Sequence, residues 1–567
     1  MSGVWSDLRH GIRILFAKPT ASLIAILTLA LGIGAATAVF SVVDAVLLRP
    51  LPYPEANRLA FLWSTFKVNG GDRAGSALPD YREWRDRNHS FSGLGGYYAN
   101  DMSLAAGTGQ PEQTQAARVT PSLFPVLGVA PRIGRNFAPE EEQFGKHRVA
   151  ILSDRLWRRR FGGDPNIVGT QILLGGFPHT VVGVMPPMPF FDDLPPMDVF
   201  LPISFPPGDN MDSRNNHYVT LVGRLLPGVT PKDAQADADA IARQIEEQLP
   251  QKVGFGAQVV SVTEQLTEDV RPALLILFGA VGLLLLVGCV NVANLLLARA
   301  VGRQREMAVR ASLGATGARL FRQALIESVV LAAVAGVAGV VFAWWGLEGM
   351  ASLLPSNLPR HNAIGVDARV LMFALAASGL TVILFGVLPA LQVGRGDVQD
   401  RLKQAGAHTT DGRGRRRLRS LLVAGETALA LMLLVGAALL GRSFIRLHGV
   451  DPGFSADAIA LRIQLPPAKY AEATRGVAFF DQLVERLRAL PGVKAVGAAS
   501  GLPLGFGAGW GKFLSVEDGP QPHSVADIPL VDFAIAGSDY FRAAGIGFAA
   551  AEPSPRPTAP RVSRWPW

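Results

Sequence analysis

The run Gly505-Phe-Gly-Ala-Gly-Trp-Gly-Lys512 ends in the Gly-Lys pair that a phosphate-binding loop would set against a nucleotide. Such a loop needs a first glycine where Phe506 stands, and a Ser or Thr for magnesium where Phe513 stands. The run is therefore expected to be a glycine-rich loop without nucleotide chemistry. His89, His147, His179, His217, His361, His408, His448 and His523 show no metal-binding spacing such as His-Glu-x-x-His, so packing or surface roles are expected for them. No Gly-x-Ser-x-Gly elbow is present. Asp192-Asp193 sits among prolines and methionines and reads as a solvated loop. Cys289 is the only cysteine, inside an apolar run, which leaves neither a disulfide framework nor a Cys-x-x-Cys redox or metal motif. No catalytic residue, metal site or cofactor of the chain's own is expected.

What the chain does offer is mechanical. Arg303-Gln-Arg-Glu-Met-Ala-Val-Arg-Ala-Ser-Leu-Gly-Ala315 is a basic segment between two charge-free runs, Ala273 to Ala298 and Ser328 to Leu347. Each run has at least the ~20 residues that cross ~30 Å of hydrocarbon. The segment thus reads as a lever at a membrane surface. Its residues Arg303, Arg305, Glu306, Met307, Ala311, Leu313, Gly314 and Ala315 are the candidate coupling residues, and a surface helix that only binds anionic headgroups is the plainer reading. Two charges lie within apolar runs, where ionised groups are costly and often functional. Glu426 is near enough to a span end to snorkel or to meet Arg419, and Asp44, near the far end of the first run, reads likewise. Ala335, Gly339 and Ala343 recur four apart and form a small-residue face suited to close helix contact, within the subunit or between subunits.

The elements that must position these residues are membrane spans. The 567-residue chain is 49% hydrophobic and only 18% charged, which places it in the membrane class. Five apolar segments, 21–48, 273–298, 324–348, 370–393 and 420–441, are long enough to span. The net charge of +8 would suggest nucleic acid in a soluble protein, but the basic residues cluster beside the apolar runs. Topology explains them and no nucleic-acid partner is expected. Arg9, Arg13 and Lys18, the basic residues of 299–323 and those of the linker 394–419 fall on one side if all five segments cross, which puts the N-terminus (1–20) in the cytoplasm. The first run is too long for a signal-peptide core and reads as an uncleaved anchor.

Residues 49–270 are too long for a loop and are expected to fold outside, with a short outer loop later in the chain at 349–369. Val149-Ala-Ile-Leu152 and Thr180-Val-Val-Gly-Val184 read as strands. Thr230-Pro-Lys-Asp233 reads as a helix start, with Ala234, Ala238, Ile241 and Ile245 on its packing face. These signals together predict an α+β ectodomain. Thr120-Pro-Ser-Leu-Phe-Pro-Val-Leu-Gly-Val129 compares with Gly537-Ser-Asp-Tyr-Phe-Arg-Ala-Ala-Gly-Ile546, which marks 442–546 as part of a second ectodomain in an incomplete repeat. The proline-rich stretch 547–567 reads as a disordered or frameshifted tail.

Together these parts resemble the permeases of MacB-like and FtsX-like ABC transporters, particularly their duplicated orphan group, here with an apparently truncated second repeat. The resemblance is carried by Asp7-Leu-Arg-His-Gly-Ile-Arg-Ile-Leu15, Ala45-Val-Leu-Leu-Arg-Pro-Leu-Pro-Tyr53, Gly223-Arg-Leu-Leu-Pro-Gly-Val-Thr230, Asn291-Val-Ala-Asn-Leu-Leu-Leu-Ala-Arg299, Arg303 to Ala315, and Leu434-Val-Gly-Ala-Ala-Leu-Leu-Gly-Arg-Ser-Phe444. It implies an α-helical membrane protein with MacB-like α+β periplasmic domains in a bacterial cytoplasmic (inner) membrane. It also implies that Arg303 to Ala315 is a coupling helix resting on a separate ABC ATPase, which would hold ATP and Mg2+. Ala308 stands where the family pattern has glycine. Mechanotransmission to the outer domains is the implied function, and the lipid bilayer, a second permease copy and a periplasmic adaptor are the further partners it suggests. A membrane-anchored envelope sensor without transport and an inactive truncated permease remain alternatives.

Overall fold

The computed structural model describes residues 9, 13, 19–66, 73–105, 111–188, 197–249, 254–302, 317–351, 364–387, 413–455, 457–502, 510–513, 530–537 and 539–547. Its main elements run, in chain order, α1 (Pro19–Val43), β1 (Leu59–Phe66), β2 (Arg73–Ala74), α2 (Leu78–Arg87), β3 (Phe91–Ala105), β4 (Glu112–Val119), α3 (Leu123–Leu127), β5 (Ile133–Gly134), β6 (Val149–Leu152), α4 (Asp154–Phe161), β7 (Gln171–Leu174), β8 (Phe177–Val184), β9 (Val199–Pro202), β10 (Thr220–Leu225), α5 (Pro231–Gln248), β11 (Phe255–Ser261), α6 (Val262–Thr267), α7 (Arg271–Gly302), α8 (Gly317–Ala351), α9 (Ala368–Thr381), α10 (Arg413–His448), α11 (Ala473–Arg488), β12 (Trp510–Phe513), β13 (Leu530–Phe533) and α12 (Tyr540–Ala543). They group into two compact units, Met1–Arg49 with Thr267–Val450, and Pro50–Leu266 with Asp451–Trp567.

The first unit is helical. Pro19–Leu48, Arg271–Leu296, Leu325–Gly349 and Val423–His448, of 30, 26, 25 and 26 residues, are each long and apolar enough to cross a membrane. The fourth expected run, 370–393, begins within α9, but its apolar helical part, Ala368–Leu384, is shorter than these, and 388–393 lie outside the described residues. There the backbone slips from α to π bonding over Val382–Val387. Ser378 and Thr381 donate their hydroxyls to the carbonyls of Ala374 (2.8 Å) and Ser378 (2.7 Å) just before the slip, side-chain bonds of a kind that bends helices. α10 runs past the expected end at 441 to His448, taking Arg442 and Arg446 into the helix. Nothing in 442–448 breaks a helix, and Gly449 closes it with its N–H on the Ile445 carbonyl at 3.0 Å.

The core of this unit gathers Ala25, Leu29, Ile33 and Ala36 of α1, Leu285, Cys289 and Val292 of α7, Leu331, Ala332 and Ala335 of α8, and Ala377 of α9. Small residues let α1 and α8 meet backbone to backbone. A Cβ on Gly34 would sit 2.8 Å from the Gly339 carbonyl oxygen, and one on Gly339 would sit 3.1 Å from that of Ala30. Without a hydrophobic drive between helices in lipid, such close packing is what holds spans together.

The second unit is built on an 11-stranded sheet, ordered β11-β1-β10-β3-β4-β9-β6-β8-β5, with β2 on β1 and β7 on β3 and β8. Most neighbours are antiparallel, while β4–β9 and β6–β8 run parallel. α5 opens as its sequence predicts. The Thr230 hydroxyl accepts from the Asp233 N–H at 3.3 Å, and the Asp233 carboxylate accepts from the Thr230 N–H at 3.0 Å, a reciprocal cap that satisfies otherwise orphaned donors. Ala234, Ala238, Ile241 and Ile245 are buried against the sheet with Leu62, Leu221 and Ala257.

His179 on β8 is 6% exposed, with Nδ1 at 3.0 Å from the Phe177 carbonyl. Burial pulls its pKa from the ordinary 6.5 to about 4, with the Arg118 and Arg148 charges acting in the same direction. The folded ring is neutral, so the unfolded chain takes up its proton first on acidification. Stability is full above pH 6.5 and falls as the pH drops towards 4, by on the order of 3 kcal/mol for this one group. Thermal unfolding of the full chain in detergent at pH 7 and pH 4.5 should show a smaller acid loss for His179→Gln than for the parent.

The segment after α10 repeats part of the first domain. In Thr120–Val129, Leu123 N–H reaches Thr120 O (3.1 Å) and Val129 N–H reaches Phe124 O (3.0 Å). In Gly537–Ile546, Tyr540 N–H reaches Gly537 O (3.0 Å) and Ile546 N–H reaches Phe541 O (2.8 Å). Gly128 and Gly545 end the two helical turns at φ 70° and 69°, the left-handed conformation that glycine adopts without penalty. Each motif also hangs on a preceding strand-like segment in the same way. Thr120 N–H bonds Gly96 O and Gly537 N–H bonds Ala498 O, both at 2.8 Å. A Cβ on Gly95 would collide with the backbone of Leu123, and one on Gly497 with that of Tyr540. Tyr97 opposes Val119 as Ala499 opposes Ala536. The two copies differ in covering. Phe124 is fully buried, whereas its counterpart Phe541 is 36% exposed. Within this unit Arg462 reaches the buried Asp101 carboxylate at 2.5 Å, and Ala468 N–H donates to Gly175 O at 3.2 Å.

Candidate coupling and transmission site

The segment holding Arg303, Arg305, Glu306, Met307, Ala311, Leu313, Gly314 and Ala315 lies outside the described residues. The helices on either side of it are described: α7 delivers the chain to Gly302 and α8 takes it up from Gly317. Both helices pack on α1 through the core around Leu29 and Ile33.

Ala335, Gly339 and Ala343 are all buried. The contacts of Gly339 with Ala30, Ile33 and Gly34 place the small-residue face of α8 against α1 of the same chain. Glu426 lies within α10 and is partly exposed. The side chain of Arg419 lies outside the described residues.

Asp44 departs from the expected snorkelling. It is 2% exposed at the start of a π turn that closes α1, and two guanidinium groups neutralise it. Arg49 Nη2 stands 3.3 Å from Asp44 Oδ2 and 2.5 Å from Asp367 Oδ2, and Arg369 Nη1 stands 3.5 Å from Asp44 Oδ1. Asp367 also caps α9, its Oδ1 accepting from the N–H groups of Arg369 and Val370, both at 3.0 Å. The Val370 N–H above all, with Arg49 and Arg369 alongside, holds the Asp367 carboxyl below its usual range. Ser41 donates to Gly365 O at 2.6 Å one turn earlier. Arg49 was legible five residues after Asp44, but Asp367 and Arg369 were not, being more than 300 residues away.

Among the described residues no group of three His, Cys, Asp or Glu is placed to hold a metal ion. Gly511 and Lys512, expected in a loop, lie in β12, with Lys512 opposite Val531 of β13. Residues 505–509 of that glycine-rich run lie outside the described residues. Asp192-Asp193 lies outside the described residues.

Residues 22–241 match the MacB-like periplasmic core domain family and residues 278–398 match the FtsX-like permease C-terminal family. The chain belongs to the MacB/FtsX-like permeases. This permease is 28% identical over 289 residues to the macrolide export ATP-binding/permease protein MacB of Salmonella typhi, covering 50% of this chain and 42% of the relative. It is 28% identical over 285 residues to MacB of Escherichia coli K12, with the same coverage. The chain thus spans less than half the length of these curated relatives. Among solved structures, the periplasmic region of MacB from Actinobacillus actinomycetemcomitans aligns at TM-score 0.30 and 10% identity, over 38% of this chain and 94% of that one. The extracellular domain of the noncanonic ABC-type transporter YknZ from Gram-positive bacteria aligns at TM-score 0.27 and 14% identity, over 36% and 99%. The assignment therefore rests on the two sequence modules in their order along the chain. It makes this permease an α-helical inner-membrane protein with an extracytoplasmic α+β domain. Neither family match reaches 442–546, where the sequence comparison and the repeated backbone contacts mark the partial repeat.

Proposed function

We propose that this chain is the permease subunit of an ABC transporter, coupling ATP hydrolysis on a separate ATPase to export or mechanical work outside the membrane. The carrying observation is that the two permease modules share one chain with the basic segment Arg303–Ala315 between two spans of the FtsX-like module. In this reading the N-terminus, 299–323 and 394–419 are cytoplasmic, as their lysines and arginines favour. ATP and Mg2+ bind the partner, which carries the macrolide relatives' ATP-binding role. Closure of the partner moves the coupling segment, and α7 and α8 pass the displacement through α1 to the periplasmic domain. A coupling of this kind is reciprocal, so the state of the outer domain must in turn bias the ATPase. A second permease copy or a periplasmic adaptor completes the assembly.

The experiment is co-expression of the full chain with candidate ABC ATPases and measurement of ATP hydrolysis by the purified complex in nanodiscs. Replacing Arg305 and Glu306 together by Ala should abolish the permease-dependent part of hydrolysis, at least tenfold, while the variant still inserts and folds. Undiminished hydrolysis in that variant would overturn the role given to the segment.

A further inference from the structure

Arg49 is the last residue of the helical unit and Pro50 the first of the other. Any motion of α1 that reaches the periplasmic domain along the chain passes through this peptide bond. Arg49 is extended at φ −71°, ψ 127°, as a residue preceding proline must be, and Pro50 and Pro52 stiffen the first residues beyond it. A short, stiff connection transmits displacement only if its near end is held.

We propose that Asp44, Arg49, Asp367 and Arg369 form an ionic clasp that fixes the outer end of the first span to the start of α9, with Arg49 as the positioning residue of the connection to the periplasmic domain. Charges alternate along the chain of contacts: Arg369 to Asp44 (3.5 Å), Asp44 to Arg49 (3.3 Å) and Arg49 to Asp367 (2.5 Å). Exposed ion pairs contribute little. This one differs because the Asp44 side chain is 3% exposed, so removing Arg49 leaves a buried carboxylate short of one of its two cations. The clasp is also braced on both sides. Val42 and Val46 pack with Leu347, Ile364 and Val366 beneath it, and Ser41 bonds the Gly365 carbonyl. Asp367 is immobilised by its own cap on α9. Two helices that contribute to one core are thereby pinned at the point where the chain leaves the unit.

The clasp's part in transmission rests on the coupling reading above, but its existence does not, and the test separates them. Spin labels at Leu48 and Leu371, both exposed, are placed in a Cys289→Ala background of the full chain in phosphatidylcholine–phosphatidylglycerol nanodiscs without any ATPase. The parent should give a single narrow distance distribution. Arg49→Gln and Asp367→Asn should each broaden it, whereas Arg49→Lys, which keeps a cation beside Asp44 and Asp367, should stay close to the parent. Unchanged distributions in both Arg49→Gln and Asp367→Asn would overturn the clasp. With the ATPase present, ATP-dependent protease sensitivity of the periplasmic domain should be lost in Arg49→Gln and kept in Arg49→Lys. If Arg49→Gln keeps the parent's response, Arg49 has no positioning role. If the parent itself shows no response, the coupling reading fails while the distance measurement still decides the clasp.

Discussion

Gly34→Leu will leave the chain unable to accumulate as a folded membrane protein. The position has no room for any side chain: a Cβ alone would stand 2.8 Å from the Gly339 carbonyl oxygen and 3.2 Å from Phe342 Cβ. A leucine must drive α1 and α8 apart, and the separation spreads to Leu29, Ile33, Leu331 and Ala335 in the shared core. Overpacking costs about 1–3 kcal/mol where side chains can shift. Here the obstacle is backbone, so the upper end or more is expected. Gly279→Leu on α7 is the matched control, since nothing lies within 4 Å of its Cβ position and helix propensity there improves by up to ~1 kcal/mol. Size-exclusion profiles and melting curves of the solubilised chain should show loss for Gly34→Leu and parent-like behaviour for Gly279→Leu. Comparable behaviour of the two would mean that α1 and α8 do not meet as described.

Arg214→Ala should be the most damaging single charge removal in the periplasmic domain. Its Nη1 donates to Asp80 Oδ1 at 3.0 Å and its Nη2 to Glu83 Oε1 at 2.8 Å, both carboxylates on α2. The Asp80 side chain is wholly buried. Deleting the guanidinium takes the cation away from a buried carboxylate, a loss on the order of 3 kcal/mol. Breaking the solvent-facing pair Arg85–Asp86, whose side chains are 43% and 63% exposed, should cost less than ~1 kcal/mol. Denaturant unfolding of the two variants side by side checks the ranking. Equal, small losses would show that Asp80 is satisfied without Arg214.

What could be read from the residues alone divides along sequence distance. Local signals carried well. Thr230 to Asp233 open α5 with a reciprocal cap, the runs around Val149 and Thr180 are strands, and apolar length marks the spans. Ala335, Gly339 and Ala343 were visible as a small face, but a face does not name its partner, and α1 lies some 300 residues earlier in the chain. Asp44 was visible as a costly charge, yet its pairing depends on Asp367 and Arg369, which only the fold brings near. Sheet order was hidden for the same reason. β4 pairs in parallel with β9, some 80 residues later, and nothing local to either strand specifies that. The repeat lies between these cases. Thr120–Val129 and Gly537–Ile546 share few side chains, because what recurs is backbone geometry: a hydrogen-bonded turn, a left-handed glycine and a close approach at Gly95 and Gly497. The shared Gly128 and Gly545 were the readable part of the signal.

The most direct test of coupling places a photo-activatable benzoylphenylalanine at Leu313, in the basic segment between α7 and α8, in cells producing the full chain. Irradiation should yield a crosslink to an ABC ATPase polypeptide, identified by mass spectrometry, and the adduct should diminish when Arg305 and Glu306 are replaced by Ala. Crosslinks confined to phospholipid, unaffected by those replacements, would contradict coupling and leave the segment as a surface helix on the bilayer.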